Sequence, residues 1–483
     1  MKKTMTILAL ACAIAVLQVA CAVSFPSGTD MVTLHDYAYY VQNPQKERAD
    51  HSPAEGGVFT LSADRIWSRI SLGAATAGDS LLFDLGGHGL TLTGCDVTSK
   101  PIYFNQANTT TIISNGTFAT VYDPSTYTWT IDHPEWYQNR RGCLFGGDGS
   151  ELIIENDGKL AIETGSSVNL SGNGNRLVVR KGGNLDSKIS FSGTDNRIVF
   201  EEGSAFGRMS SYVSGGTFPQ GVWMESGYVS NVVEVCDSDL LSRSHVANLS
   251  ADMNNKKGSF RCGLVLSGAG FDYTVDKLFC GSLNAPVLFQ VLRGAKLTMR
   301  NEPDYGMVAA ASGTRVTIDG EGSTLCNLNG WSRIGGGVNC TDTVVRVSNG
   351  ACFSNAGQLT IGYSAGADGN GLELLSGAHY YGGGSLLVGT GANEGSFLIV
   401  DGANTTATNA EFFVGYGGEA PCEGGRHVVR VSNGATLSCA AVRIGESCAG
   451  CALTVSDDAN FGCSAKSGTS IAVCAMELLR EAA

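Results

Sequence analysis

Charge is scarce in this sequence: 16 % of its 483 residues are Asp, Glu, Lys or Arg, against a usual ~25 %. Basic residues are the minority, 32 against 45, and the formal net charge is −13. A sparsely charged, acidic surface argues against nucleic acid and anionic lipid as partners. Proline is also rare. With glycine it makes up 75 of the 483 residues (65 Gly and 10 Pro), well below the ~25–30 % of low-complexity disorder. Beyond the first 22 residues no stretch is apolar enough to span a bilayer. No repeat of the chain holds a run long and helix-prone enough to return the backbone as a helix.

What is present is glycine at a fixed beat. The octapeptide Val-Val-Arg-Val-Ser-Asn-Gly-Ala occurs twice, at Val344–Ala351 and Val428–Ala435. Looser copies place Gly268, Gly294, Gly320, Gly377 and Gly402 in the same frame, about 26 residues apart, and Asp458 stands where the next glycine is due. A second phrase, apolar-x-apolar-Gly, ends at Gly335, Gly362, Gly389, Gly415 and Gly445. Self-similarity at this period marks a repeat architecture. The apolar runs are short and alternate with polar residues, which is strand period. Gly and Asn at the run ends suit tight turns. Each coil then reads strand, turn, strand, turn. One coil cannot bury its apolar face alone, whereas stacked coils share a continuous core.

The expected fold is all-β: a right-handed parallel β-helix, or β-solenoid, with short helical caps. Residues 1–22 read as a signal peptide, with Lys2 and Lys3 before an apolar run and Ala20-Cys-Ala22 at the cleavage site. Residues 23–78 form an N-terminal segment with a capping helix, Ser62 through Leu72, over the first coil. Residues 79–465 are the repeats. Residues 466–483 are a helical C-terminal cap or a truncated end.

Leu81-Leu-Phe-Asp-Leu-Gly-Gly-His-Gly-Leu-Thr-Leu resembles the opening coil of right-handed β-helices of the pectin-lyase-like superfold. Thr111-Ile-Ile-Ser-Asn-Gly-Thr-Phe118 resembles the strand and turn that follow. The downstream repeats resemble those of autotransporter passenger proteins. These motifs specify architecture well and activity poorly. The resemblance implies either an exported surface protein or a carbohydrate-active lyase or hydrolase.

A catalytic set is not assembled by the motifs. Gly87-His-Gly89 falls in the first coil, Asp457-Asp458 in the last, and the Arg-Ile-Lys element of polygalacturonase-type enzymes is absent. No catalytic residue is therefore assigned, and His88 reads as a turn or cap residue. Asp368-Gly-Asn370 and the acidic turn at 146–151 resemble calcium turns but do not recur in successive coils. They read as turn chemistry. Of sixteen cysteines two fall in residues 1–22, and the other fourteen lie at irregular spacing. Most read as stacked buried thiols with some bridges, and Cys448-Ala-Gly-Cys451 as a local disulfide or loop thiols rather than a zinc site. No metal and no cofactor are expected.

The candidate ligand surface is the interruption at 122–141. It gathers Tyr122, Tyr127, Trp129, Trp136 and Tyr137 beside Asp132, His133, Glu135, Arg140 and Arg141. Its alternative is an aromatic flap packed on the helix flank. The functional expectation is an exported, non-catalytic β-helical protein, adhesin- or stalk-like, secreted or on a bacterial outer surface. Its expected partners are surface glycans or other cell-surface proteins, with no membrane span after signal cleavage. The alternative is a carbohydrate-active β-helix enzyme.

Overall fold

A computed structural model describes residues 22–24, 58–61, 63–67, 70–71, 80–92, 102–104, 107–120, 143–162, 167–206, 222–224, 230–242, 248–251, 259–260, 263–281, 287–300, 305–390, 393–416, 425–445, 448, 450–464 and 472–473. The chain divides into two compact units: residues 1–211 with 221–231, and residues 212–220 with 232–483. Each is a parallel β-solenoid.

In the second unit three strands make a coil, where the sequence phrases led us to expect two. The first ladder stacks nine strands in register: Val232–Val235, Gly263–Ser267, Leu288–Leu292, Arg315–Asp319, Val344–Ser348, Gly371–Leu375, Phe397–Asp401, Val428–Ser432 and Ala452–Val455. The second ladder runs from Asp272–Val275 through Cys352–Asn355 and His379–Gly382 to Asn460–Cys463. A third contains Lys277–Cys280, Tyr305–Ala309, Trp331–Ile334, Leu359–Ile361 and Ser385–Thr390. Thr406–Tyr416 and Thr436–Ile444 serve the second and third ladders without a break. In other coils the corner carries a variable turn, Asn329-Gly330 (φ 78°) in one and residues 382–384 in another, so no recurring phrase marks the third face.

The octapeptide's ending has a physical cause. The Ala351 amide donates to the Ser348 carbonyl at 3.1 Å, closing a turn over Asn349 (φ 56°) and Gly350 (φ 77°). Two consecutive positive φ values define a type I′ turn, which asks for Asn-Gly. The second copy repeats it at Asn433 (φ 54°) and Gly434 (φ 74°), and Asp457-Asp458 adopts the same conformation at 54° and 59°. Asp458 therefore does occupy the glycine's place. The alanine after the turn enters the core: Ala295, Ala351, Ala378 and Ala435 are all fully buried.

The turns also lock adjacent rungs. Asp319 accepts hydrogen bonds from Ser348 Oγ (2.5 Å) and Asn349 Nδ2 (2.8 Å) of the next coil. Asp401 accepts the same pair from Ser432 (2.6 Å) and Asn433 (2.7 Å). Serine and asparagine persist in the octapeptide because both turn conformation and inter-rung bonding use them.

Inward positions form apolar columns. Leu264, Phe289, Val316, Val345, Leu372, Leu398, Val429 and Leu453 succeed one another down the first ladder, each at most 2 % exposed. Each such side chain contributes roughly 1.5–3 kcal/mol through burial. Where the second ladder's column stacks the large Phe353 and Tyr380 on adjacent rungs, the small Ala407 follows, which keeps the core at close packing.

The first unit has the same plan. Ser80–Leu92 and Thr110–Thr120 pair in parallel and lead into Glu151–Ile154, Arg176–Val179 and Arg197–Phe200. A separate ladder runs through Ile70–Ser71, Ile102–Phe104, Cys143–Phe145, Ser167–Leu170, Lys188–Phe191 and Val222–Met224. Asn115 Nδ2 donates to Asp84 Oδ1 at 3.0 Å, the same clamp as in the second unit.

The expected capping helix is corrected. Arg65–Trp67 and Ile70–Ser71 are strands, and Arg65–Trp67 pairs with residues 90–92 of the opening coil. Ile66, Trp67 and Ile70 suit a strand as well as a helix face, and the unpaired edge of the first coil decides between them. Among the described residues the only helix is Ser238–Ser242. Residues 1–21 and 474–483, which carry most of the signal peptide and the C-terminal cap, lie outside the described residues.

Candidate functional site

The corners of both units are committed to holding the stack. In the first unit Asn175, Asn196 and Asn231 are buried, and each Oδ1 accepts an amide from the coil before it: Ser150, Asn175 and Asn196, all at 2.8 Å. In the second unit Asn370 Oδ1 takes the Thr343 amide at 2.9 Å. His427 Nδ1 takes the Ser396 amide at 3.2 Å. His427 is fully buried. Burial pushes its pKa down to about 4, partly opposed by the Asp368 carboxylate. A neutral imidazole with Nδ1 as acceptor does here what asparagine does elsewhere.

The acidic turns are committed as well. Asp148 Oδ1 accepts the Asn173 amide (2.7 Å), and Asp368 Oδ1 accepts the Glu394 amide (2.6 Å). Glu151, Glu155 and Glu373 meet Arg176, Arg180 and Arg346 at 3.1, 2.8 and 2.6 Å. Glu234 meets Arg293. Among the described residues no group of three His, Cys, Asp or Glu side chains could hold a metal ion. His88 sits at the corner of the first coil after Gly86 (φ 59°) and Gly87 (φ 85°), with Nδ1 3.6 Å from Asp64. The Gly87-His-Gly89 sequence is a bend between two ladders.

Among the described residues Cys280, Cys326, Cys340, Cys352, Cys439, Cys451 and Cys463 are free thiols. Burial pushes Cys280 up, and Cys352 to about 11. Cys448 is disulfide-bonded and Cys451 is free. Of the two expectations for this pair, a local disulfide or loop thiols, the bridge between Cys448 and Cys451 is thus corrected. Cys439 and Cys463 are register partners on adjacent rungs. Burial, then the Cys463 thiol beside it, raises Cys439 to about 12.

One surface not consumed by the stack, among the described residues, lies along the third ladder in the second unit. Register aligns Phe279, Val308, Arg333, Thr360, Leu387, Phe413 and Arg443 there, with Thr360 and Leu387 buried beneath their neighbours at 2 % and 5 % exposure. Aromatic rings flank this column. Trp331 is 48 % exposed and lies edge-on to Tyr305 at 6.5 Å. Tyr363 follows Gly362 and is 41 % exposed. Tyr416 follows Gly415 in the same way, 5.2 Å from Phe413. Gly362 (φ 68°) and Gly415 (φ 71°) hold left-handed backbone at the ends of their ladder segments, just before Tyr363 and Tyr416. Arg333 lies with its guanidinium carbon 4.4 Å from the Tyr305 ring centre and 3.3 Å from that of Tyr363. Such contacts fix the guanidinium plane and are worth about 0.5–2 kcal/mol each.

Tyr122, Tyr127, Trp129, Trp136 and Tyr137, expected to form the ligand surface, lie outside the described residues. Sequence reasoning passed over Tyr305, Trp331, Arg333, Tyr363 and Tyr416. Their signal was the Gly-Tyr step that ends the second phrase twice, at Tyr363 and Tyr416. No family model matches this chain, and no curated protein matches it.

Proposed function

We propose that this chain is an exported, non-catalytic β-helical protein, secreted or displayed on a bacterial surface. In this reading it is an adhesin- or stalk-like module whose outward aromatic flank binds glycans. The solenoid is taken to be right-handed and pectin-lyase-like, with autotransporter-passenger-type repeats. The carrying observation is the set of rings Tyr305, Trp331, Tyr363 and Tyr416 flanking the third ladder on four of five consecutive rungs, with Thr390 in place of a ring on the rung between Tyr363 and Tyr416. Exposed flat rings present apolar faces to the C–H side of sugar rings. The ~4.8 Å rung spacing is close to the length of one pyranose, so a glycan laid along the strip meets about one rung per sugar. The carboxylates at the corners hold neighbouring coils together, and that commitment supports binding without turnover.

The test is a panel of neutral and acidic oligosaccharides offered to the purified protein and to a Trp331→Ala, Tyr363→Ala double variant. Both side chains are surface-exposed, so the variant keeps its circular dichroism. Binding by the parent and its loss in the variant, with no new reducing ends or unsaturated products, is the expected result. Release of such products would establish the enzyme reading instead.

A further inference from the structure

We infer that the strip selects glycans bearing an oxyanion, a carboxylate or a sulfate ester, and that Arg333 is the residue that reads it. This rests on the glycan-binding reading above.

The inference starts from a contrast among arginines. Arg176, Arg180, Arg293 and Arg346 each meet a glutamate. Among the described residues no Asp or Glu oxygen lies within 4.0 Å of Arg333. Arg300, Arg315, Arg426 and Arg430 share that lack among the described residues, so what sets Arg333 apart is its place between two rings. It is also held in place. Tyr305 on the preceding rung and Tyr363 on the following one both contact the guanidinium through their rings. The glycine at 336 keeps space beside the stem, because a Cβ there would come within 3.2 Å of Arg333 Cβ.

Rings against the faces of a guanidinium leave its N–H edge as the bonding surface. That edge is a planar fork matched to two oxygens of one carboxylate or sulfate. Trp331, on the same strand two residues earlier and on the same face of the ladder, offers an exposed ring for the sugar bearing that group. The combination of fork and platform describes a charged sugar better than a neutral one. A neutral sugar would leave the partly buried guanidinium without a counter-charge. A simple anion would make no use of the tryptophan. The net charge of −13 disfavours loose attraction of polyanions, so affinity for them must come from a local site.

The experiment uses the full chain and three probes of equal length: a uronic-acid hexasaccharide, a sulfated neutral-sugar hexasaccharide and cellohexaose. Affinities are measured by calorimetry for the parent, Arg333→Gln, Arg333→Lys and Trp331→Ala, with thermal melts confirming that each variant is folded. The parent should bind one or both anionic probes at least tenfold more tightly than cellohexaose. Which of the two it prefers identifies the source of the oxyanion. Arg333→Gln should abolish the preference, bringing the anionic probes to the same affinity as cellohexaose in that variant. Arg333→Lys should recover part of it, since it restores charge without the fork. Trp331→Ala should weaken all probes. Equal binding of charged and neutral probes, or an anion preference that survives Arg333→Gln, overturns this inference and leaves the glycan reading intact. Failure of the parent to bind any probe overturns both.

Discussion

His427 gives the sharpest quantitative test of how the coils are held. Its Nδ1 accepts the Ser396 amide, and Nε2 has no hydrogen-bond partner among the described residues. Protonation would place a charge in a site with no exposure and convert the acceptor into a donor facing a donor. Burial accordingly lowers the folded-state pKa to about 4, despite the opposing pull of Asp368. The unfolded chain has an ordinary histidine near ~6.5. Between these values the unfolded state binds more protons, so stability falls as pH falls. The contribution is fully present above about pH 6.5. It has dropped by about 2 kcal/mol at pH 5 and by about 3 kcal/mol near pH 4. Asn370 and the three buried asparagines of the first unit do the same job without a titrating group. His427→Asn should therefore retain the amide bond and lose the acid sensitivity. Hydrogen exchange read on the peptides covering Phe397–Asp401 and Val428–Ser432 isolates these rungs, since a solenoid can open locally. From pH 7.5 to pH 5, the parent's opening free energy there should fall about 2 kcal/mol more than the variant's. Identical pH profiles for parent and His427→Asn would refute the reasoning.

Other predictions follow from the turns and thiols. Asp319→Ala leaves Ser348 and Asn349 without their shared acceptor. It should destabilise the strands on either side by about 1–3 kcal/mol, and Asp401→Ala should do the same three coils later, both read by urea unfolding or hydrogen exchange. Gly434→Ala meets nothing closer than 3.7 Å but holds φ at 74°, so its cost should be conformational alone, about 1 kcal/mol. Gly183→Ala would put its Cβ 2.1 Å from the Ile154 carbonyl oxygen and should cost clearly more in a matched melting experiment. Cys439 and Cys463 stand in register and should form a disulfide when treated with oxidised glutathione above pH 8. Peptide mapping under non-reducing conditions should find that link, with the fully buried Cys280 still reduced. Recovery of Cys439 and Cys463 only as separate glutathione adducts would count against it.

The repeat, the strand period and the turn type were all determined by the sequence alone. Asn-Gly and Asp-Asp pairs are among the few that tolerate two successive positive φ values, so local chemistry dictates them wherever the chain goes. Gly-marked phrases some 26 residues apart then require stacking, because no coil can bury its own apolar face. The third face was not legible, since its corner is marked differently in each coil, by Asn329-Gly330 in one and Gly382-Gly-Gly384 in another, while Thr406–Tyr416 and Thr436–Ile444 pass it within one strand. Nor was the fate of residues 65–71, where an apolar pattern suiting either structure was resolved by a neighbouring rung that needed a partner. The candidate site lay in the same blind spot. Tyr305, Arg333 and Tyr363 are separated by 28 and 30 residues in the chain and meet only because adjacent rungs lie side by side. Local propensity acts through neighbours in sequence, whereas a binding surface on a solenoid is assembled from neighbours along its axis, and only the register of the stack brings those together.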